Sequence, residues 1–151
     1  MKFIELTFES EAYERAWQLR QTVLREPLGL TLEPGERASE AEQRHFGLFT
    51  DDLELAGCIS VVPMPDGTAK LRQMSVNPRM QGIGLGRTLL ANVEILLAAQ
   101  GFHRLYMHAR NSAIGFYQKL GYQTEGDPFV EVTIPHIRMS KSLVTRQQSS
   151  A

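Results

Sequence analysis

A chain of 151 residues can build one domain with a proper core and is too short for two of ordinary size. Its 16 Lys and Arg against 17 Asp and Glu leave a formal charge of −1, with the cations dispersed, which argues against nucleic-acid partners and anionic membrane surfaces. A single cysteine excludes a disulfide within the chain. No apolar run approaches the roughly 20 residues of a membrane span, and the start of the chain lacks the features of an export signal, so a soluble, cytoplasmic protein is expected.

Lys2 to Thr7 alternates apolar and polar residues and reads as a half-buried strand, followed by a helix that Ser10 can cap. That helix runs from Glu11 to about Arg25. Ala12, Ala16, Leu19 and Val23, joined by Trp17 and Leu24, recur at helical spacing and turn Glu14, Arg15, Gln18 and Gln21 toward water. Trp17 is expected in the core and the arginines of this helix in solvent. Pro27 and Gly29 stop the helix, and Leu28 to Gln43 reads as a long loop with one short helical turn. Arg44 to Thr50 and Glu54 to Val62 are strand-like runs joined at Asp51-Asp52. Pro65-Asp66-Gly67 then turns the chain into Ala69 to Val76, the third of three consecutive antiparallel strands. Cys58, within the apolar run Ala56 to Val62, is expected as a buried thiol rather than a nucleophile.

The stretch Arg79-Met80-Gln81-Gly82-Ile83-Gly84-Leu85-Gly86-Arg87 joins the last of these strands to the longest helical pattern in the chain. Alternating glycines let a ligand approach the backbone, and a helix start offers unpaired amides and a positive dipole end, so the stretch reads as a phosphate cradle. It is not a P-loop, which would close with Gly-Lys-Ser/Thr. It is not a dinucleotide fingerprint either, because Gly86 comes one residue early for G-x-G-x-x-G. Leu89, Leu90, Val93, Leu96 and Leu97 form the apolar stripe of the helix, and Gly101 is placed to terminate it, with Phe102 packing back on Leu97. Arg104 to Ala109 is expected parallel to the strand before the helix, as a βαβ crossover requires.

Asn111 or Ser112 can cap a two-turn helix with Ala113, Phe116, Tyr117 and Leu120 on one stripe, closed by Gly121. Tyr122-Gln123 opens a last pair of strands. A loop at Glu125 to Pro128 precedes Phe129 to Thr133 and Ile134 to Lys141, with an edge or bulge expected at Pro135. Residues 144–151 are too polar to build core and are expected as a disordered tail, leaving 1–143 as the domain. The histidines at 45, 103, 108 and 136 are scattered and no pair has helical ligand spacing, so no metal is expected.

Two blocks resemble the GNAT superfamily of acyl-CoA-dependent N-acyltransferases. Arg79-x-x-Gly82-x-Gly84 and, two residues on, Gln81-x-x-Gly84-x-Gly86 match its Gln/Arg-x-x-Gly-x-Gly/Ala pattern between a strand and a helix. His108 to Tyr122 carries its Asn, Phe-Tyr and Lys-x-Gly-Tyr/Phe elements in the usual order. The resemblance implies an α/β fold built on a mixed, mostly antiparallel sheet, splayed at a central parallel pair and with helices on both faces. It implies transfer of an acetyl group from acetyl-CoA to an amine acceptor, without a metal, and it admits a homodimer. A binding module that senses acyl-CoA without turnover is the alternative.

By that resemblance, backbone amides of Gln81, Gly82, Ile83, Gly84, Leu85, Gly86 and Arg87 hold the pyrophosphate, with Arg79 and Arg87 adding charge. Met74, Ser75 and Val76 offer backbone groups to the pantetheine and the thioester carbonyl, while Asn111 and Phe116 serve the cofactor arm. Tyr117 takes the place of the general acid, although core packing against Tyr122 also accounts for it. Several relatives carry an acidic base on the strand before the glycine turn, but this strand reads Lys70-Leu71-Arg72-Gln73. His136 and Glu131 are therefore put forward as the base, with His108 behind them.

Overall fold

The computed structural model describes residues 1–143, and the expected tail lies outside the described residues. Seven strands, β1 (Lys2–Leu6), β2 (Arg44–Phe49), β3 (Leu55–Pro63), β4 (Thr68–Val76), β5 (Arg104–Arg110), β6 (Gln123–Glu131) and β7 (Ile134–Ser142), form one sheet. Its order is β1-β2-β3-β4-β5-β7-β6. The ladders of β1 with β2, β2 with β3, β5 with β7 and β6 with β7 are antiparallel. The pair β4 and β5 is parallel, from Thr68↔Arg104 to Leu71↔Met107. The expected mixed, mostly antiparallel sheet is thus the one observed. A parallel pair needs a long crossover, and helix α3 (Leu85–Ala99) supplies it. No helix among the described residues is long and apolar enough to cross a membrane.

Contacts divide the chain into two compact units. The first comprises Met1–Val62 and Gln73–Val93. Here Ser10 caps helix α1 (Glu11–Arg20) by accepting from the Tyr13 amide at 3.2 Å. The helix continues through a wider π-turn at Gln21–Arg25 and a 3₁₀ turn at Glu26–Leu28, ending on left-handed Gly29. Leu6, Ala16, Phe49, Leu55 and Cys58 pack together as core. Burial pushes the Cys58 thiol up to about 12, so the reading of an inert buried cysteine holds.

Two expectations for this unit are corrected. Arg20 and Arg25 are buried rather than solvated, and Trp17 is only half-buried, whereas Tyr13 is fully enclosed. The segment 28–43 is also mostly helical: α2 (Pro34–Ser39) opens with a reciprocal Glu33/Glu36 capping box and runs into a 3₁₀ turn at Glu40–Glu42. One cause underlies both. Glu40 is fully buried and its carboxylate accepts from Arg20 at 2.7 and 2.8 Å and from the Tyr13 hydroxyl at 2.5 Å. Periodicity of apolar residues cannot register a helix face whose buried groups are an ion pair.

The second unit comprises Pro63–Arg72 and the described residues from Glu94 on. The α3 helix ends here in a Schellman motif, the Phe102 amide reaching the Leu97 carbonyl at 3.0 Å and the Gly101 amide that of Ala98 at 3.1 Å, with Gly101 at φ 95°. Helix α4 (Ile114–Lys119) ends the same way at Gly121, the Tyr122 amide bonding the Tyr117 carbonyl. Tyr122 donates to Glu94 at 2.7 Å, and Lys141 donates to Glu94 at 3.0 Å and to the Leu120 carbonyl at 2.8 Å, which fixes that end of the helix.

Three further expectations change in this unit. Neither Asn111 nor Ser112 caps α4, because a 3₁₀ turn at Asn111–Ala113 precedes it and neither helix start has a side-chain cap. The segment Glu125 to Pro128 is a bulge inside β6 rather than a separate loop, with the register shifting between Glu125 and Phe129. Pro135 marks neither an edge nor the bulge: β7 is an inner strand. The proline is tolerated because it pairs only with Val130 of β6 and lies beyond the last β5 pair, Arg110↔His136. The hairpin turns at Val132 and Thr133, both with positive φ (50° and 66°), as a type I′ turn requires.

Candidate functional site

In the first unit the glycine turn is assembled as the sequence suggests. Asn77 accepts from the Arg79 amide at 3.0 Å and donates to the Leu55 carbonyl at 3.1 Å, anchoring the entry to a 3₁₀ turn at Pro78–Met80. Gly82 and Gly84 both adopt left-handed backbone (φ 87° and 80°), and a Cβ on either would meet nothing within 4 Å. These glycines are thus needed for the backbone path, and the space before them is open. The Thr88 amide reaches back to the Gly84 carbonyl at 3.0 Å, so the amides of Leu85, Gly86 and Arg87 are the ones a helix start leaves without intrahelical partners. Gln81 and Ile83 are exposed beside them. The turn therefore presents unpaired amides to open space at the start of a helix. Arg87 is exposed, whereas Arg79 is ion-paired with Glu54, so its charge already has a partner within the unit.

The same unit holds the C-terminal part of β4. Ser75 is buried, its hydroxyl donating to the Gln73 carbonyl at 3.3 Å, while Met74 and Val76 are half-buried. Gln73 itself sits mid-strand at φ 54°, a conformation rare for a residue with a side chain. Its amide group accepts from Arg20 at 2.7 Å and donates to Glu36 at 3.2 Å. The buried ion pair therefore braces the irregular turn of backbone just before Met74.

In the second unit Asn111 is exposed, and no described residue hydrogen-bonds its side chain. Phe116 is exposed and meets Tyr117 edge-on at 5.1 Å. The half-buried Tyr117 ring packs edge-on against Tyr122 at 5.8 Å, as its place in the stripe suggests. Its hydroxyl has no hydrogen-bond partner among the described residues, and burial pushes its pKa up to about 12.

The three candidates for the base come together. The Glu131 carboxylate accepts from His108 Nδ1 at 3.1 Å and lies 3.9 Å from His136 Nε2. Burial works to raise the Glu131 carboxyl, but the His108 hydrogen bond and the nearby positive charge hold it below its usual value, so it is an ionised acceptor. His108 Nδ1 must then carry the proton, and in the neutral ring Nε2 is left with the lone pair. His136 is buried and its Nδ1 donates to the Ile134 carbonyl at 2.9 Å. Phe129 packs between the two imidazoles, edge-on to His108 at 4.9 Å and stacked at 6.1 Å on His136. His108 is the partly exposed member of the pair. Its signal in the sequence was its place near the end of a predicted strand. By contrast, His45 is a structural residue, buried between Ser60 (2.8 Å) and the Glu40 carbonyl (2.9 Å).

The strand order, the parallel β4–β5 pair and a glycine turn opening the crossover helix define the acyl-CoA N-acyltransferase class of fold. The family model described as an acetyltransferase (GNAT) domain matches residues 30–143. The chain belongs to the GNAT acetyltransferase family, whose general reaction moves an acetyl group from acetyl-CoA to an amine. The uncharacterized protein YyaT of Bacillus subtilis (strain 168) is 36% identical over 76 residues, 50% of this chain and 51% of that protein. The uncharacterized N-acetyltransferase YjcF of the same organism is 30% identical over 79 residues, 52% and 56% of the respective lengths. The chain spans about half the length of these curated relatives. Among solved structures, an inferred N-acetyltransferase from Lactobacillus plantarum superposes with a TM-score of 0.82 at 25% identity, covering 95% of this chain and 98% of that one. An aminoglycoside 6'-N-acetyltransferase complexed with coenzyme A shares the fold, with a TM-score of 0.77 at 18% identity over 97% and 99% of the chains.

Proposed function

We propose that this chain transfers an acetyl group from acetyl-CoA to an amine by direct attack on the thioester. The observation that favours catalysis over non-catalytic sensing of acyl-CoA is the His108–Glu131 pair, an imidazole oriented by a carboxylate with its second nitrogen free to take a proton. When bound, acetyl-CoA supplies an acyl group already activated as a thioester. The amides of residues 81–87 hold its pyrophosphate, and Arg87 adds charge. By resemblance to the family, the pantetheine arm is assigned to the backbone of Met74, Ser75 and Val76 in the first unit and, separately, to Asn111 and Phe116 in the second.

His108 Nε2 takes the proton that the acceptor amine must lose, and Glu131 stabilises the imidazolium that results. His136 lends its buried ring to the same cluster. As the nitrogen–carbon bond forms and the carbon–sulfur bond opens, Tyr117 donates from its hydroxyl to the departing sulfur. With the phenol at about 12 and a thiol near ~8.5, that donation acts as a hydrogen bond, and the thiolate takes its proton from water. Tyr117→Phe is accordingly expected to slow thiol release by about tenfold with acetyl-CoA affinity unchanged. Unchanged turnover would remove the acid role.

The reading is tested by titrating acetyl-CoA calorimetrically into the protein and into a Gly84→Glu variant. Micromolar binding is expected, weakened at least about tenfold in the variant, which forces a side chain into left-handed backbone and sets a carboxylate against the pyrophosphate. Equal binding by the variant would sink the assignment of the turn. Tight binding with no thiol release across an amine panel would restore the sensor.

A further inference from the structure

The face of the sheet that carries His108 has a charge pattern of its own. Register places Lys70 beside Tyr106, His108 beside Arg138, Arg110 beside His136, and Arg138 beside Glu125. Directly paired residues share a face and alternate residues repeat it, so Lys70, Tyr106, His108, Arg138 and Glu125 form one contiguous surface. The opposite face is the apolar one, with Ala69, Leu71, Leu105, Met107, Ala109 and Met139 all buried.

The carboxylates on this surface are engaged. Glu125 accepts from Arg138 at 3.2 Å and also from Arg104 and Ser140, and Glu131 serves His108. Arg138 additionally lies 3.9 Å over the Tyr106 ring. Lys70 is different: it is half-buried, and none of the described residues gives its ammonium a hydrogen bond or an ion pair. Burial, above all, lowers its pKa, with Glu131 opposing and Arg72 and Arg138 adding to the effect. A partly desolvated cation without an ion pair, whose opposing carboxylate Glu131 already serves His108, is a costly arrangement that an incoming anion relieves.

We propose that the acceptor is a small amine bearing its own carboxylate, an amino acid by chemical class, and that Lys70 binds that carboxylate while His108 takes the proton from the amine. The proposal rests on the acetyl-transfer reading. Lys70 pairs with Tyr106, so His108 is its diagonal neighbour two residues on along the adjacent strand and on the same face, a placement that suits an acid and an amine on one small molecule between two side-chain tips. A polyamine or an aminoglycoside would set further positive charge against Lys70 and Arg138 and be disfavoured.

The test measures thiol release from acetyl-CoA with the twenty standard amino acids, their primary amides, spermidine and kanamycin, for wild type, Lys70→Ala, Lys70→Arg and Lys70→Glu. Turnover is expected with one or more free amino acids and at least about tenfold less with the matching amide. Lys70→Ala should lower kcat/KM for the acid about ten- to hundredfold, chiefly through KM. Lys70→Arg should recover part of that loss, and Lys70→Glu should reverse the preference toward the amide. Calorimetric acetyl-CoA affinity and thermal melting, unchanged in all three variants, confirm intact folding. Amides, spermidine or kanamycin used as well as the acids would overturn the proposal and leave acetyl transfer standing. Thiol release from no acceptor, with acetyl-CoA bound, would overturn both.

Discussion

Replacing Glu40 with alanine is expected to destabilise the protein by about 3–5 kcal/mol, lowering the melting temperature by on the order of 10 °C. The pair it forms with Arg20 is enclosed on both sides, at 1% and 0% side-chain exposure, and truncation would strand a guanidinium that also holds Gln73. The Tyr13 hydroxyl would lose its acceptor as well. The cost therefore comes from leaving charge and donors unpaired, not from the small volume removed. Replacing both partners, as Arg20→Met with Glu40→Leu, should cost far less than Glu40→Ala alone, since an apolar pair of similar size leaves nothing unsatisfied. A double variant as unstable as the single one would show that the ion pair itself stabilises the unit.

The same network sets a pH dependence with a definite sign. Burial works to raise the Glu40 carboxyl, but its bonds to Arg20 and Tyr13 hold it below the ordinary 4.5. A carboxyl depressed in the folded state contributes stability that is present above its unfolded value and lost as pH falls below it. Tyr13 acts oppositely. Burial, then the Glu40 hydrogen bond, pushes its phenol from 10.0 to about 12, so its contribution is full below pH 10.0 and is lost as pH rises toward 12. Chemical denaturation followed across pH should show a plateau that falls at both ends, and Glu40→Ala should flatten the acid side.

This network also marks the limit of what could be read from the residues alone. Strands were legible because their apolar runs and turn residues are local, and the turn into α3 was legible because Gly82 and Gly84 are dictated by backbone geometry at a single place. The Schellman ends at Gly101 and Gly121 were legible for the same reason. The buried face of α1 was not, because Arg20 and Glu40 are 20 residues apart and each looks solvated without the other. Gln73 gave no warning of its positive φ, since its conformation is held by Arg20 and Glu36. The cluster at Glu131 was half-visible. Its members were named from strand ends, but the bulge between Glu125 and Phe129, which sets which of them face one another, depends on pairing that no local pattern encodes.

The largest kinetic effect is expected at His108. Changing it to glutamine should lower kcat by about 10²–10⁴-fold while leaving acetyl-CoA affinity as it was, because in the proposed mechanism the residue serves proton removal and takes no part in holding the cofactor. Glu131→Gln should be milder. An amide in place of the carboxylate still accepts from Nδ1 at 3.1 Å, but it cannot stabilise the imidazolium, and its own NH₂ can turn toward the ring and favour the wrong tautomer. The two changes act on one function, so the double variant should be little slower than His108→Gln alone. His136→Gln separates this arrangement from one in which the buried imidazole takes the proton. With Nδ1 committed to the Ile134 carbonyl and Nε2 at 3.9 Å from Glu131, its loss should perturb the cluster by less than tenfold. A His136 variant slower than the His108 variant would transfer the base to the buried ring, and additive losses at His108 and Glu131 would break the dyad into two independent residues.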